Sequence, residues 1–434
     1  MARNLAAAAR SIRVSYDRYR QVLAERDAAL LLGSGFASEI GDWLSTIALM
    51  TISFRLGEGA LGVGGFLAVR MVPRLLFQGP AGTLGDRWPG RQLLLWTQLF
   101  LALIASSFAL LTLYPSLWLL YLLVFLLETV STVARPAFMV QLQAAAHPEW
   151  RSAANGLLFV GMTTAQFIGP LLGALLLAIT GTAAVFLVNG LTFLCVAFAI
   201  SRPRRPVTGE AGNAAASDGD DAAGGEGVLT IGYGGLLKRA DLNLYTAISL
   251  SLSLLVQATI ALFVVRAVVL GLGESGVGVF YAAVAAGSIV GSVVAGAGSH
   301  REQSTLFPVG LAMGLCAVSL ALFGAASSIG VALIALTVAG FTTNFHEVAA
   351  ISYFQHRLPA SLFGRFFSLF LIALSAGGLI GALLGPTLER QIGVAGALLS
   401  LALPGVVLAL IVVGVGLRSR SRFRPELRAD REIE

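Results

Sequence analysis

Apolar residues run through this chain in long unbroken blocks with short polar punctuation between them. Twelve blocks reach the length of a membrane crossing, at roughly 28–54, 60–81, 92–113, 116–140, 154–178, 181–200, 243–266, 276–298, 304–325, 328–352, 365–387 and 392–416. A hydrocarbon layer about 30 Å thick takes roughly 20 helical residues to cross. Strands of a membrane barrel would alternate polar and apolar residues in segments of about ten. These blocks are continuous and rich in Ala, Leu and Gly, so the pattern predicts an all-α membrane protein of twelve transmembrane helices. Glycines spaced as in GSIVGSVVAGAG, from Gly287, let helix backbones approach where lipid supplies no hydrophobic drive.

One long stretch breaks the pattern, from SRPRRP at Ser201 through GEAGNAAASDGDDAAGGEG to the LLKRAD that ends at Asp241. Its Gly, Ala, Asp and Glu cannot bury enough surface to order a chain. The expected organisation is a basic cytoplasmic segment 1–27, a six-helix bundle 28–200, a flexible cytoplasmic linker 201–241, a second six-helix bundle 242–416 and a basic cytoplasmic tail 417–434. LLKRADL has the look of a short interfacial helix. RSIRVSYDRYRQVLAERD, from Arg10, fits an amphipathic helix on anionic headgroups and a loosely ordered tail equally well.

The two halves echo each other. HPEWRSAANG at His147 leads into GMTTAQFIGPLLGALL, and LPASLFGRFF at Leu358 leads into LIALSAGGLIGALLGPTL. An offset of 211 or 212 lays Pro148 on Pro359, Gly169 on Gly381 and Gly173 on Gly385. Two pseudo-symmetric six-helix bundles with the ligand site between them are expected, an arrangement many secondary transporters share.

Composition narrows the class. With 56% hydrophobic and 12% charged residues and a mean hydropathy of +0.83, the chain has too little polar surface for a soluble globule. About 23 of its 29 Lys and Arg residues fall in the two tails, the linker and the loops after even-numbered helices. Both termini are therefore expected in the cytoplasm, with the chain multi-pass in a bacterial-type inner membrane. The net charge of +6 follows from that bias, and without basic patches interleaved with aromatics no nucleic-acid partner is expected. No apolar core with a small-residue cleavage site precedes Asp27, so no removable signal peptide is expected. Cys195 and Cys316 lie far apart inside apolar runs, which excludes a disulfide framework. Four His, two dispersed Cys and no G-x-x-x-x-G-K loop offer no metal site, cofactor, nucleotide site or enzymatic constellation. No selectivity-filter repeat argues for a channel. The chain is expected to be monomeric.

Charges at membrane depth are the candidate chemistry. Glu39 and Asp42 share one face of the first helix, Arg70 and Arg74 one face of the second, and Glu128 lies mid-way along the fourth. Inserting an Asp at the centre of a bilayer costs about 2.5–3.5 kcal/mol, so such groups face the bundle interior and pair. Two roles compete. One is a structural ion-pair network, Arg70 with Asp42 or Glu128. The other is proton carriage, because a carboxyl withdrawn from water holds its proton more readily and can exchange it when a cavity changes face. Asn344, His346 and Glu347 on the tenth helix form a weaker set, in which His346 reads more readily as a packed, hydrogen-bonded histidine.

GTLGDRWPGR, at Gly82, resembles the G-x-L-x-D-R-x-G-R-[KR] signature of the major facilitator superfamily, carried between the second and third helices. Gly82, Leu84, Asp86, Arg87 and Arg91 match it, whereas Pro89 and Gly90 depart from it. The resemblance implies the major facilitator fold and a gating latch, with Asp86 at the N-terminus of the eleventh helix and Arg135 as its basic partner. GPLLGA resembles the fifth-helix G-P-x-x-G-G element of the antiporter branch through Gly169, Pro170 and Gly173, with Ala174 in place of the last glycine. IGDWL, VRMVPRLLFQGPAG at Val69, ARPAF at Ala134 and RSAANG at Arg151 are similar to the twelve-helix drug and siderophore exporters, the macrolide and enterobactin-type efflux proteins. This resemblance implies a transporter that exports amphipathic or hydrophobic small molecules by alternating access in exchange for protons, with lipid bilayer, substrate and proton as its partners. An uncoupled facilitator or lysophospholipid flippase of the same fold stays open. So does a non-transporting scaffold or receptor, although that role has no use for buried carboxylates.

Overall fold

The structure, a computed structural model, describes residues 19–87, 89–202, 240–298, 306–358 and 360–423. Most of the N-terminal segment, nearly all of the linker and residues 424–434 lie outside the described residues. Among those described there is no strand, and the helices follow the apolar blocks. They are α1 (Arg26–Leu56), α2 (Ala60–Arg87), α3 (Gly90–Ser107), α4 (Leu117–Ala145), α5 (Arg151–Thr180) and α6 (Thr182–Ser201). The second half has α7 (Ala240–Ala261, with a short continuation Phe263–Val269), α8 (Val277–Gly298), α9 (Leu306–Ala325) and α10 (Ile329–Arg357). Ala360–Phe423 is one helical run folded back at Gly393, whose φ of 72° is the left-handed backbone that glycine adopts without a Cβ penalty. Its arms, 360–392 and 394–423, are α11 and α12.

Ten stretches are long and apolar enough to cross a membrane. The last of them holds both α11 and α12, and α1, diluted by Glu39 and Asp42, packs in the same bundle. Among the described residues this makes twelve crossings in an all-α membrane fold. Successive crossings alternate, so one face, called near, carries the start of α1 and the end of α12. The other, called far, carries the turns at 57–59, 181, 270–276 and 393.

Each half pairs its helices in the same way: α1 with α5, α2 with α4 and α3 with α6, then α7 with α11, α8 with α10 and α9 with α12. The echoed glycines explain the first of these pairings. A Cβ on Gly169 would overlap Trp43 and one on Gly173 would press on the backbone of Leu44. Their counterparts Gly381 and Gly385 meet the backbone of Leu254 and Ala258. With no Cβ at these glycines the paired helices approach closely, at Gly173, Gly381 and Gly385 onto the partner's backbone, the arrangement that van der Waals attraction favours in lipid. On the outer helices, Leu187, Leu191, Leu194 and Phe198 of α6 and Leu311, Leu315, Val318 and Leu322 of α9 are exposed at helical spacing. Those apolar stripes face lipid.

The halves meet along α2 with α11 and α5 with α8. Gly64 of α2 lies against Ala382 and Pro386 of α11, and Gly278 of α8 against Pro170 of α5. These contacts are all toward the far face.

Arg91, at the start of α3, closes the near end of α6. Its Nε donates to the carbonyl of Ile200 at 2.9 Å and its Nη2 to those of Ser201 and Arg202 at 3.0 and 2.7 Å. Carbonyls in the last turn of a helix lack intrahelical donors, and a cation there also complements the helix dipole. Arg91→Ala is expected to cost about 1–2 kcal/mol, because hydrogen bonds from a charged donor are stronger than neutral ones and water replaces them only in part. Thermal unfolding in detergent checks this. An unchanged midpoint would mean that water caps the helix equally well.

Candidate functional site

Between the halves, midway along the helices, lies a cavity of about 460 Å³. From the first half α1 supplies Glu39, Asp42, Trp43 and Thr46, α2 supplies Arg70 and Arg74, α4 supplies Arg135, and α5 supplies Met162 and Gln166. From the second, α7 supplies Gln257, α8 supplies Tyr281 and Ser288, and α10 supplies Asn344 and Glu347. Spacings of three and four residues put Glu39, Asp42 and Thr46 on one face of α1 and Arg70 and Arg74 on one face of α2. Pro170 has no N–H for the carbonyl of Gln166 one turn earlier, which leaves that carbonyl open beside the cavity. Toward the far face the cavity is roofed by Trp43 and Tyr281, edge to face at 5.2 Å, and the Tyr281 hydroxyl lies 3.7 Å from Met50 Sδ.

The carboxylates occupy different surroundings. Arg70 Nε donates to Glu128 Oε1 at 2.7 Å and Arg74 Nη2 to Glu128 Oε2 at 3.2 Å. Glu128 is 4% exposed, and both its oxygens are taken by guanidinium groups that offset its desolvation. Asp42 instead accepts one long hydrogen bond, 3.4 Å, from the amide of Asn189 on α6. Among the described residues no cationic nitrogen comes within 4 Å of Asp42 or Glu39, and Arg135 forms no ion pair either. Arg70, which from sequence alone was open to either carboxylate, is given to Glu128.

A second cavity, about 200 Å³, lies inside the first half, and Glu39, Asp42, Arg135, Phe159 and Met162 line both it and the first. Its remaining walls are largely apolar and aromatic.

Two ion pairs join the halves at the far face. Arg55 at the end of α1 donates through Nε to Glu274 at 2.6 Å, and Arg390 of α11 bonds Glu58. Glu58 has a φ of 57°, a region uncommon for a side-chain-bearing residue, and the turn it makes carries its carboxylate across to the second half.

The family model of the Major Facilitator Superfamily matches residues 31–382 of the chain. The chain belongs to that superfamily. Among curated proteins none matches it. Solved structures share the fold. The nucleoside transporter NupG, solved as a point mutant, superposes with a TM-score of 0.63 at 13% identity over 91% of this chain and 99% of that one. The POT family transporter PepTSo gives 0.67 at 15% identity over 92% and 99%. A membrane transporter rather than an enzyme is what this membership indicates, and a small-molecule substrate and a bilayer are its natural partners.

Within this superfamily fold the loop signature is only partly a loop, because α2 stays helical through Arg87, so Gly82, Leu84, Asp86 and Arg87 form its last turns. Side chains of 78–88 lie outside the described residues, and so does the expected pairing of Asp86 with Arg135. Arg135 itself lines both cavities. Gly169 and Gly173 face α1, while the carbonyl of Pro170 meets α8, so the fifth-helix motif sits where both seams converge. On α10, Asn344 and Glu347 line the cavity, and Asn344 Oδ1 accepts from Ser292 at 3.3 Å. His346 points away into the second half, Nε2 against Ser249 Oγ at 2.8 Å. Because the Ser249 hydroxyl donates to the Tyr245 carbonyl at 2.9 Å, it is left to accept from His346, which puts the histidine proton on Nε2.

Sequence reasoning passed over Asn189, Gln166, Gln257 and Tyr281. Asn189 had a visible signal, a lone amide in the apolar run VFLVNGLTF.

Proposed function

We propose that this transporter exports amphipathic small molecules by alternating access in exchange for protons, with Asp42 as the group that carries the proton. The observation that carries this reading is the contrast between two intramembrane carboxylates: Glu128 is held by two arginines, while Asp42 faces the cavity between the halves with only an amide for a partner. A carrier must gain and lose its proton without stranding a buried arginine, and Asp42 meets that condition. Charge balance supports it. Glu39, Asp42, Glu128 and Glu347 set four carboxylates against the three guanidiniums of Arg70, Arg74 and Arg135 in and around the cavity. One proton, or one singly cationic substrate, neutralises the remainder, which gives the two a physical reason to compete. The near face is assigned to the cytoplasm by the distribution of Lys and Arg.

The test is transport by the purified protein in proteoliposomes with and without an imposed pH gradient, using a fluorescent amphipathic cation in one arm and a lysophospholipid in the other. Gradient-dependent accumulation of the cation is expected. Translocation of either compound at a rate indifferent to the gradient would make this an uncoupled facilitator or flippase and overturn proton exchange.

Alternation also makes the far-face ion pairs a clasp on the state that is open toward the near face. Exposed pairs contribute about 0.2–1 kcal/mol each, so losing both shifts the ratio of the two states about fivefold. Combining Glu274→Gln with Arg390→Gln is expected to raise, by about that factor, the rate at which a cysteine at Met50 reacts with an impermeant thiol reagent applied at the far face. An unchanged rate would show that the pairs play no part in gating.

A further inference from the structure

The cavity inside the first half has a feature that the proton cycle does not use. Gln98 of α3 lines it and is 6% exposed, yet its amide oxygen is buried without a hydrogen-bond partner among the described residues. Leaving such a group unsatisfied is costly, and an apolar residue of similar shape would be as stable or more so. Phe138, Met139, Phe193 and Leu101 line the cavity with it, and Phe159, Met162, Glu39 and Asp42 line this cavity and the one between the halves alike. An apolar cavity of about 150 Å³ holds a benzene ring, so about 200 Å³ holds a substituted one.

We infer that this cavity is a binding subsite for one arm of the transported molecule, an aromatic ring bearing a hydroxyl or amine that Gln98 hydrogen-bonds, while the polar head stays at Glu39 and Asp42. The inference rests on the proposed export function and adds where the apolar part goes. Three observations converge on it. Aromatic and thioether walls suit a flat polarisable ring. Glu39 and Asp42, the carboxylates that lack cationic partners among the described residues, line both cavities, so a head and an arm are bound in adjoining spaces. The Gln98 amide oxygen, buried and without a partner among the described residues, belongs to a side chain that lines this chamber, where a group serving only helix packing would be expected to find a partner. A hydroxyl can donate to the amide oxygen or accept from the amide nitrogen, so recognition does not depend on how the amide is turned.

Binding to the full-length protein in detergent tests this with three cations: tetramethylammonium, benzyltrimethylammonium and 4-hydroxybenzyltrimethylammonium. Wild type is expected to bind them in rising order, the hydroxyl improving affinity roughly tenfold over the plain ring, since a site built to hydrogen-bond a group discriminates against its absence. Gln98→Leu is expected to erase the preference for the hydroxyl and to raise the unfolding temperature of the free protein, a combination that a merely structural glutamine would not give. Ala134→Leu, which narrows the same cavity, is expected to flatten the whole series toward the affinity of tetramethylammonium. If Gln98→Leu keeps the wild-type preference, or if its unfolding temperature falls, the subsite is wrong while export stands. If wild type binds none of the three, the cationic reading of the shared carboxylates fails and the subsite fails with it.

Discussion

Asp42→Asn is expected to abolish accumulation driven by a pH gradient while leaving the protein folded and able to bind substrate. Asparagine keeps the shape of aspartate and can still accept a hydrogen bond from Asn189, so α1 and α6 retain their contact. What it lacks is a proton to exchange. With one proton per cycle, each unit of pH difference sustains about a tenfold concentration ratio, since one unit corresponds to about 1.4 kcal/mol, and the variant should forfeit all of it. The binding data carry a sign as well. Protonated Asp42 has no charge to offer a cationic substrate, so wild-type affinity should weaken as pH falls through the titration of this group, and the variant should show the weaker affinity at every pH. Glu39→Gln, one turn nearer the start of α1, removes a neighbouring carboxylate of the same site without removing the carrier, so its affinity should fall while its transport still responds to a pH gradient. Should Asp42→Asn still concentrate substrate at the normal rate, Asp42 is not the carrier.

Glu128→Gln should fail in another manner, by losing the fold. Removing this one carboxylate strands both Arg70 and Arg74 among helices, and breaking a buried pair from one side costs about 3–5 kcal/mol. Yield of folded protein and the thermal midpoint in detergent should both drop. Replacing Arg70 by Gln in the same chain should recover part of the loss, because the charge left unpaired is then smaller, and a double-mutant cycle measures how much. A Glu128→Gln protein of wild-type stability that has lost its response to a pH gradient would reverse the roles assigned to Glu128 and Asp42.

The helices were legible because lipid simplifies the code: a crossing must be apolar for its whole length and must satisfy its own backbone. Their ends were less so. α2, α4 and α10 continue to Arg87, Ala145 and Arg357, five or six residues past where their apolar blocks stop near 81, 140 and 352. Hydropathy marks the edge of the hydrocarbon, and a helix can continue beyond it among polar residues. The offset of 212 was visible because close helix contact demands small residues at fixed spacing, and Gly169, Gly173, Gly381 and Gly385 all stand at such contacts. Partnerships across the fold left no such trace. Arg55 and Glu274 are 219 residues apart, Glu58 and Arg390 are 332 apart, and nothing local to either member names the other. The choice of Glu128 over Asp42 by Arg70 was hidden for the same reason. So was the isolation of Gln98, since an unmade hydrogen bond is a property of the surroundings.

The close seams of α1 with α5 and of α7 with α11 also limit how the molecule can deform. Where glycines bring two helices this close there is little soft layer to compress or shear, so each pair is expected to act as a stiff strut. In the proposed transport cycle, alternation then takes the form of a rolling of one pair of struts over the other along α2 with α11 and α5 with α8. There the fulcrum is also built of small residues, Gly64 against Ala382 and Gly278 against Pro170. In that cycle the molecule works as a lever with rigid arms and a narrow pivot. A bulky residue at that pivot would stop the lever while leaving the cavity and all its charges intact.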